Sequence, residues 1–340
     1  MNLRIGKKAL FRICLGLCSA GLSLLLLEVA YRIQLFDFYQ TELRAFNPPG
    51  DLDRSNVATW LVFGDSFSAG NSSYVNVLRE KLPETRIVNA SIPGSGIIQT
   101  LLIARKRLTR FRPSLLLVQL YPGNDLFDIR HPINWRELSF RRNAYWLASN
   151  YLRSLSFLNY RLGQLRGGVA GEAYQPYRFG DYPFVSPDQF APERFLNNEP
   201  IGLKADSQLI EKQVRLLADR KADFELMVNG LRLLLSQKDT DCRCVLLVIP
   251  HASQINRYYL ERAKALGAVF EDEQAMLNNE GAFTTELRRR LPSCRIVDPL
   301  EPFRRAESTG IRLYWTNDIH LNPNGNELLA DILSEVITHP

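Results

Sequence analysis

Five residues scattered along the chain have the types that acyl transfer needs: Ser66, Gly94, Asn124, Asp318 and His320. A serine hydroxyl is a weak nucleophile until a base takes its proton, and His320 is the available base. An imidazole in that role needs a partner that holds its tautomer and stabilises the imidazolium; Asp318 stands two residues away. The tetrahedral intermediate puts negative charge on the former carbonyl oxygen. Donors aimed there would be the backbone N–H groups of Ser66 and Gly94 and the side-chain amide of Asn124, and deleting one such donor typically costs roughly 3–4 kcal/mol of transition-state stabilisation. Small residues around Ser66 and Gly94 would let the backbone come close to a substrate. The expected catalytic set is Ser66, Asp318 and His320, with an oxyanion hole from Ser66, Gly94 and Asn124.

Taken singly, each has a plainer reading. Ser66 alone is a turn residue capping a helix, Gly94 and Gly96 are turn formers, and Asn124 in Pro-Gly-Asn-Asp is a β-turn. Asp318 and Asn322 alone would be caps for the last helix, supported by Pro323 and Gly325. What favours chemistry is where they stand together. "TWLVFG" (59–64) ends in Gly64-Asp65-Ser66, "RIVNAS" (86–91) leads into Ile92-Pro93-Gly94, and "SLLLVQLY" (114–121) into Gly123-Asn124-Asp125. With "CVLLVIP" (244–250) and "RIVDPL" (295–300) these are continuous apolar runs, as parallel strands covered on both faces require.

Between the runs lie helix-like stretches at 72–82, 97–110, 206–238, 257–266 and 272–290, and a final one at 326–337. The alternation predicts an α/β fold: a three-layer open, mostly parallel sheet of about five strands with helices on both faces. In such sheets functional groups gather at the carboxyl ends of the strands, where these loops are expected.

In these blocks the chain resembles the SGNH (GDSL-type) hydrolase superfamily. Ser66 matches the block I serine in Gly-Asp-Ser, Gly94 the block II glycine in Asn-Ala-Ser-Ile-Pro-Gly, Asn124 the block III asparagine in Gly-Asn-Asp, and His320 the block V histidine. The blocks are short, but they run in order through most of residues 57–337. The resemblance implies a flavodoxin-like sheet, a serine nucleophile without cofactor, and an acyl-serine intermediate that water or a sugar hydroxyl resolves. One departure is clear. The usual last block is Asp-x-x-His, whereas this chain has Asn317 at that position and Asp318 in Asp-x-His, the form used by membrane-anchored and exopolysaccharide-associated relatives, including alginate acetylation proteins. If the two-residue spacing keeps Asp318 from the far ring nitrogen, His320 would lean on a backbone carbonyl and work as a dyad.

Composition excludes other classes. Of 340 residues, 42 are Lys or Arg and 36 Asp or Glu, a net charge of +6, and the basic residues are scattered. A nucleic-acid partner would show a clustered basic face, so none is expected. Four histidines, none with ligand spacing to a cysteine, argue against a metal site. His251 after the fourth strand reads as structural. Cys242 and Cys244 face opposite sides of a strand and should not bridge each other. One of them can pair with Cys294 in an oxidising compartment.

Residues 1–35 read as an uncleaved signal anchor. Arg4, Lys7, Lys8 and Arg12 precede an uncharged run from Ile13 to Leu27, which Glu28 interrupts. The basic flank would keep the N-terminus cytoplasmic, giving a single-pass inner-membrane protein with its catalytic domain periplasmic or extracellular. Residues 36–56 read as a linker and 57–340 as the hydrolase-like domain, with an insertion at 128–205. Fourteen of the 61 residues from Trp135 to Phe195 are aromatic and arginines are frequent, so the insertion either packs on the core or walls a cleft for a sugar or acyl chain.

The expected function is a membrane-anchored serine esterase or O-acyltransferase acting on a carbohydrate or lipid ester of the cell envelope. The insertion favours an anionic polysaccharide, and envelope polysaccharide machinery is a candidate partner. The alternative is a non-catalytic polysaccharide-binding or assembly protein that retains the fold. A lipase or thioesterase would instead need an apolar tunnel under 128–205.

Overall fold

The computed structural model describes residues 7–53, 58–70, 72–167, 189–195, 199–278 and 281–338. The N-terminal part holds α1 (Lys7–Arg32) and α2 (Gln40–Ala45). The first half of the domain follows as β1 (Thr59–Phe63), α3 (Tyr74–Lys81), β2 (Arg86–Asn89), α4 (Ile97–Phe111) and β3 (Leu115–Leu120). Next come α5 (Asp125–Ile129), α6 (Phe140–Ser149), α7 (Arg153–Gly167), α8 (Glu199–Ala205), α9 (Leu209–Val214) and α10 (Ala218–Leu235). The chain closes with β4 (Arg243–Val248), α11 (Arg257–Ala265), α12 (Glu273–Asn278), α13 (Ala282–Arg290), β5 (Arg295–Val297), α14 (Leu300–Ser308) and α15 (Pro323–Thr338).

All five apolar runs pair in one parallel sheet of order β2-β1-β3-β4-β5. This is the flavodoxin-like order, with its switch between β1 and β3. Because successive side chains alternate faces, the sheet builds two cores. Leu61, Phe63, Leu116, Val118, Leu246 and Val248 meet α4, α10 and α13 on one side. Trp60, Val62, Leu115, Leu117, Val245 and Leu247 meet α3, α11, α14 and α15 on the other. The expected fold class is therefore the one observed.

The helices after residue 205 depart from expectation in three places. The stretch 206–238 is two helices, because Leu216 takes a left-handed φ of 51° and turns the chain while its side chain stays in the core. The stretch 272–290 holds two helices, α12 and α13, the second starting just after Gly281, whose φ is 41°. Helix α14 was not foreseen: Pro299 and Pro302 look like breakers, yet they sit at its cap and in its first turn, where a missing N–H is harmless.

Cys244 and Cys294 form a disulfide with Cα atoms 4.9 Å apart, while Cys242 is a buried free thiol. The bridge joins the starts of the neighbouring strands β4 and β5.

At the N-terminal end, Phe11–Arg32 is long and apolar enough to cross a membrane. Its last turn is docked on the domain. The buried Glu28 carboxylate accepts the Arg153 and Ser154 N–H groups at the start of α7, at 3.0 and 2.8 Å, where the helix dipole favours a negative charge. Tyr31 packs with Phe38, Tyr39 and Phe157. The segment 36–56, read from sequence as a linker, carries α2. Its Asn47 side chain pairs with both the N–H and the carbonyl of Asn89, like an added strand residue.

Five of the fourteen aromatics from Trp135 to Phe195, namely Tyr174, Tyr177, Phe179, Tyr182 and Phe184, lie outside the described residues. Of the described part, Trp146 packs with Phe127 and His131, and Phe157 packs with Phe38 and Tyr39 of the segment after α1. Trp135 and Phe140 stay exposed.

Candidate active site

Ser66 lies three residues past the end of β1, in a turn that Asp65 builds. The Asp65 carbonyl accepts the N–H groups of Ser68 and Ala69 at 3.2 and 2.9 Å, and its carboxylate accepts the Phe67 N–H at 2.9 Å. Gln119, a polar residue in the otherwise apolar strand β3, accepts the Asp65 N–H at 3.0 Å and the Ser68 hydroxyl at 3.1 Å. A side chain at Gly64 would collide with Gln119 and Ser68, so the glycine is what permits this crossing.

His320 arrives on a loop closed by an antiparallel bridge between Tyr314 and Leu321 and by the Trp315 N–H donating to the His320 carbonyl at 3.0 Å. Buried Ile319 anchors the loop in the core. Asn322 and Pro323 then start α15, with the Asn322 side chain accepting the Gly325 N–H at 3.0 Å. Capping therefore falls to Asn322, and Asp318 is free for another partner.

That partner is His320. Its Nδ1–H donates to Asp318 Oδ1 at 2.8 Å, and its Nε2 accepts the Ser66 hydroxyl at 2.8 Å. The same Asp318 oxygen accepts the Ile319 N–H at 2.6 Å, which curls the carboxylate back over its own loop. This is how Asp-x-His spacing reaches the ring nitrogen that faces away from Ser66. Phe67 packs on the imidazole with ring centroids 4.8 Å apart and is backed by Tyr121 at 4.4 Å.

The electrostatics are those of a poised base. Burial alone would lower the His320 pKa, but the hydrogen bond and charge of Asp318, with the charge of Asp65, raise it above 6.5. Burial likewise works against ionised Asp318, and the His320 contact and backbone N–H groups outweigh it, leaving its pKa low. Asp65 is different: burial raises its pKa despite the bonds from Phe67 and Asn124.

Asn124 donates its side-chain N–H to Asp65 Oδ2 at 3.0 Å. An amide nitrogen has two hydrogens, so one orients the group and the other remains for a ligand. The backbone is braced too: the Asn124 and Asp125 N–H groups donate to the Tyr121 carbonyl, both at 3.1 Å, and buried Gln213 donates to the Gly123 carbonyl at 3.0 Å. Gly94 sits at the tip of an exposed turn with φ 64°, a left-handed conformation suited to glycine. That turn is tied to β1 by the Ile92 N–H donating to the Gly64 carbonyl at 2.9 Å. Among the described residues, the Ser66 and Gly94 N–H groups have no protein acceptor.

The structure thus brings Ser66, His320 and Asp318 into one hydrogen-bonded chain and joins Asn124 to it through Asp65. His251 lies apart: buried, it contacts Ser253 Oγ at 2.7 Å and Glu199 at 3.1 Å. Sequence reasoning gave no role to Asp65, Gln119 or Asn317. A glutamine inside an apolar strand was the one visible signal for Gln119. Among the described residues no cluster of three or more His, Cys, Asp or Glu could hold a metal ion.

No protein-family model matches the sequence, and no curated protein is similar to it. Among solved structures, TesA is similar over 82% of this chain and 97% of its own, at 15% identity and a TM-score of 0.36. A catalytic mutant of Axe2, an acetylxylan esterase from Geobacillus stearothermophilus, is similar over 84% of this chain and 96% of its own, at 12% identity and a TM-score of 0.41. The lipase Lip_vut3 from a goat rumen metagenome is similar over 82% and 96%, at 12% identity and a TM-score of 0.35.

Proposed function

We propose that the protein is an SGNH-type serine hydrolase of ester bonds, with Ser66 as nucleophile, His320 as base and Asp318 as its orienting acid. The single observation that carries this is the Ser66–His320–Asp318 chain, with both contacts at 2.8 Å. Ser66 Oγ attacks the ester carbonyl while its proton moves to His320 Nε2. The oxyanion is met by the Ser66 and Gly94 N–H groups and the Asn124 amide. Collapse expels the alcohol, which takes the proton from His320, and leaves an acyl-Ser66. Water, deprotonated by His320, completes hydrolysis; a sugar hydroxyl in the same position would complete an O-acyl transfer.

The apolar helix Phe11–Arg32, preceded by basic residues, supports a membrane-anchored enzyme with its domain on the far side of the inner membrane. The Cys244–Cys294 bridge suits an oxidising compartment. An envelope carbohydrate or lipid ester is the substrate that fits this location. A purely binding role would leave no reason to keep Ser66, Asn124, Asp318 and His320 together.

The test is hydrolysis of p-nitrophenyl acetate and of acetylated sugars by the full chain in detergent, beside Ser66→Ala and His320→Ala. Turnover that both variants abolish is expected. Turnover that survives Ser66→Ala would refute the assignment.

A further inference from the structure

Asn317 stands where an Asp-x-x-His block would place its aspartate, and it is buried. Its side chain does not face His320. Asn317 Oδ1 accepts the Ala191 N–H at 2.8 Å, and its Nδ2 donates to the Gln189 carbonyl at 3.1 Å. An amide is the one short side chain offering an acceptor and a donor side by side; an aspartate there would set a charge against the Gln189 carbonyl. The returning limb of the insertion, 189–195, is thereby fastened to the loop that carries Asp318 and His320. Arg262 strengthens the joint: it donates to the Trp315 carbonyl at 2.6 Å, and its guanidinium lies 5.5 Å from the Phe195 ring centre.

We infer that Asn317 is a specificity-determining positioning residue, holding limb 189–195 as the wall beside the leaving alcohol of the substrate. This rests on the ester-hydrolase reading above. His320 Nε2 returns its proton to the departing alkoxide, so the alcohol lies on the His320 side of Ser66. The Gly94 and Asn124 donors take the carbonyl oxygen. The limb is fixed to residue 317, next to the His320 partner. Its Phe190 and Phe195 pack against the core, whereas Gln189, Glu193 and Arg194 are exposed. What the limb offers is an amide, a carboxylate and a guanidinium, groups that bond hydroxyls. The wall therefore suits a hydroxylated alcohol such as a sugar rather than an alkyl alcohol. Adjacent residues divide two tasks: Asp318 orients the base and Asn317 the wall.

The experiment uses the full chain in detergent, with Asn317→Ala, Asn317→Ser and the surface pair Glu193→Ala/Arg194→Ala, each checked for native melting. Hydrogen exchange reads the clamp directly: the Ala191 amide should exchange about tenfold faster in Asn317→Ala than in wild type. Kinetics reads specificity. For an acetylated sugar, kcat/KM should fall about tenfold in all three variants, mostly through KM. The acetate-to-butyrate preference on p-nitrophenyl esters should stay within about twofold, because the acyl side is untouched. Equal losses on sugar and aryl acetates, or a shifted acyl preference, would overturn the specificity role. An Ala191 amide that exchanges as fast in wild type as in Asn317→Ala would overturn the clamp. Neither outcome resembles failure of the hydrolase reading, which would appear as no acyl-enzyme in wild type while Ala191 stayed protected.

Discussion

The Asp318 carboxylate reaches His320 Nδ1 at 2.8 Å across a single intervening residue, Ile319. The closeness comes from the loop: Ile319 is pinned in the core, and its N–H turns the carboxylate towards the ring. Replacing Asp318 by Asn would leave the shape nearly intact but favour the wrong tautomer. In steady-state ester hydrolysis, kcat should fall by roughly 10³–10⁴-fold with KM little changed. A loss under tenfold would mean that His320 works without it.

The pH profile carries the same relationship. The base must be neutral to act, and its pKa is raised above 6.5 by Asp318 and Asp65. Activity should therefore be full well above that value and fall as pH drops through it, with the acid limb of kcat/KM lying above pH 6.5. In Asp318→Asn the main raising contact is gone and burial is opposed only by the charge of Asp65, so the residual limb should move to lower pH. A limb unmoved by the substitution would assign it to another group.

Asn124 is predicted to act only in the transition state. Asn124→Ala should lower kcat by about 10²–10³-fold with a small change in KM. Asp65→Asn should produce a milder loss of the same kind, since Asp65 holds the Asn124 amide at 3.0 Å without reaching the substrate. If Asn124→Ala instead raised KM at constant kcat, the side chain would be binding ground-state substrate.

The disulfide is a stability device rather than a part of the site. It spans 50 residues between the starts of β4 and β5. In the chain-entropy view, closing a loop of that length stabilises by about 4 kcal/mol. Cys244→Ser/Cys294→Ser should lower the denaturation midpoint accordingly while kcat at a temperature where it stays folded remains near wild type. A midpoint unaffected by reductant would show the bridge to be absent in solution.

The strands were legible because each is a continuous apolar run ending at small or polar residues, and both faces of a parallel sheet are covered. The blocks of Ser66, Gly94 and Asn124 were legible for the same reason, since each follows a strand; the Asp318–His320 block follows α14 and was legible only by its residue types. The break at Leu216 was not, because leucine is a good helix former and the left-handed turn there is imposed by packing. Helix α14 was hidden by prolines that sit where a helix tolerates them. The Asn317 clamp was beyond sequence reasoning, since its partners are main-chain atoms more than a hundred residues away and carry no side-chain signature. Asp65 was in plain view, but its task depends on Gln119 and Asn124 meeting it from β3 and the loop beyond.

The most direct measurement is rapid-quench reaction of the full chain with p-nitrophenyl acetate, followed by peptide mass mapping, beside Ser66→Ala. A burst of p-nitrophenol equal to the enzyme present, with an acetyl group on the peptide bearing Ser66 and neither in the variant, is the predicted result. A folded wild-type protein that gives no burst and no acetylated Ser66, or gives the same burst without Ser66, would contradict it.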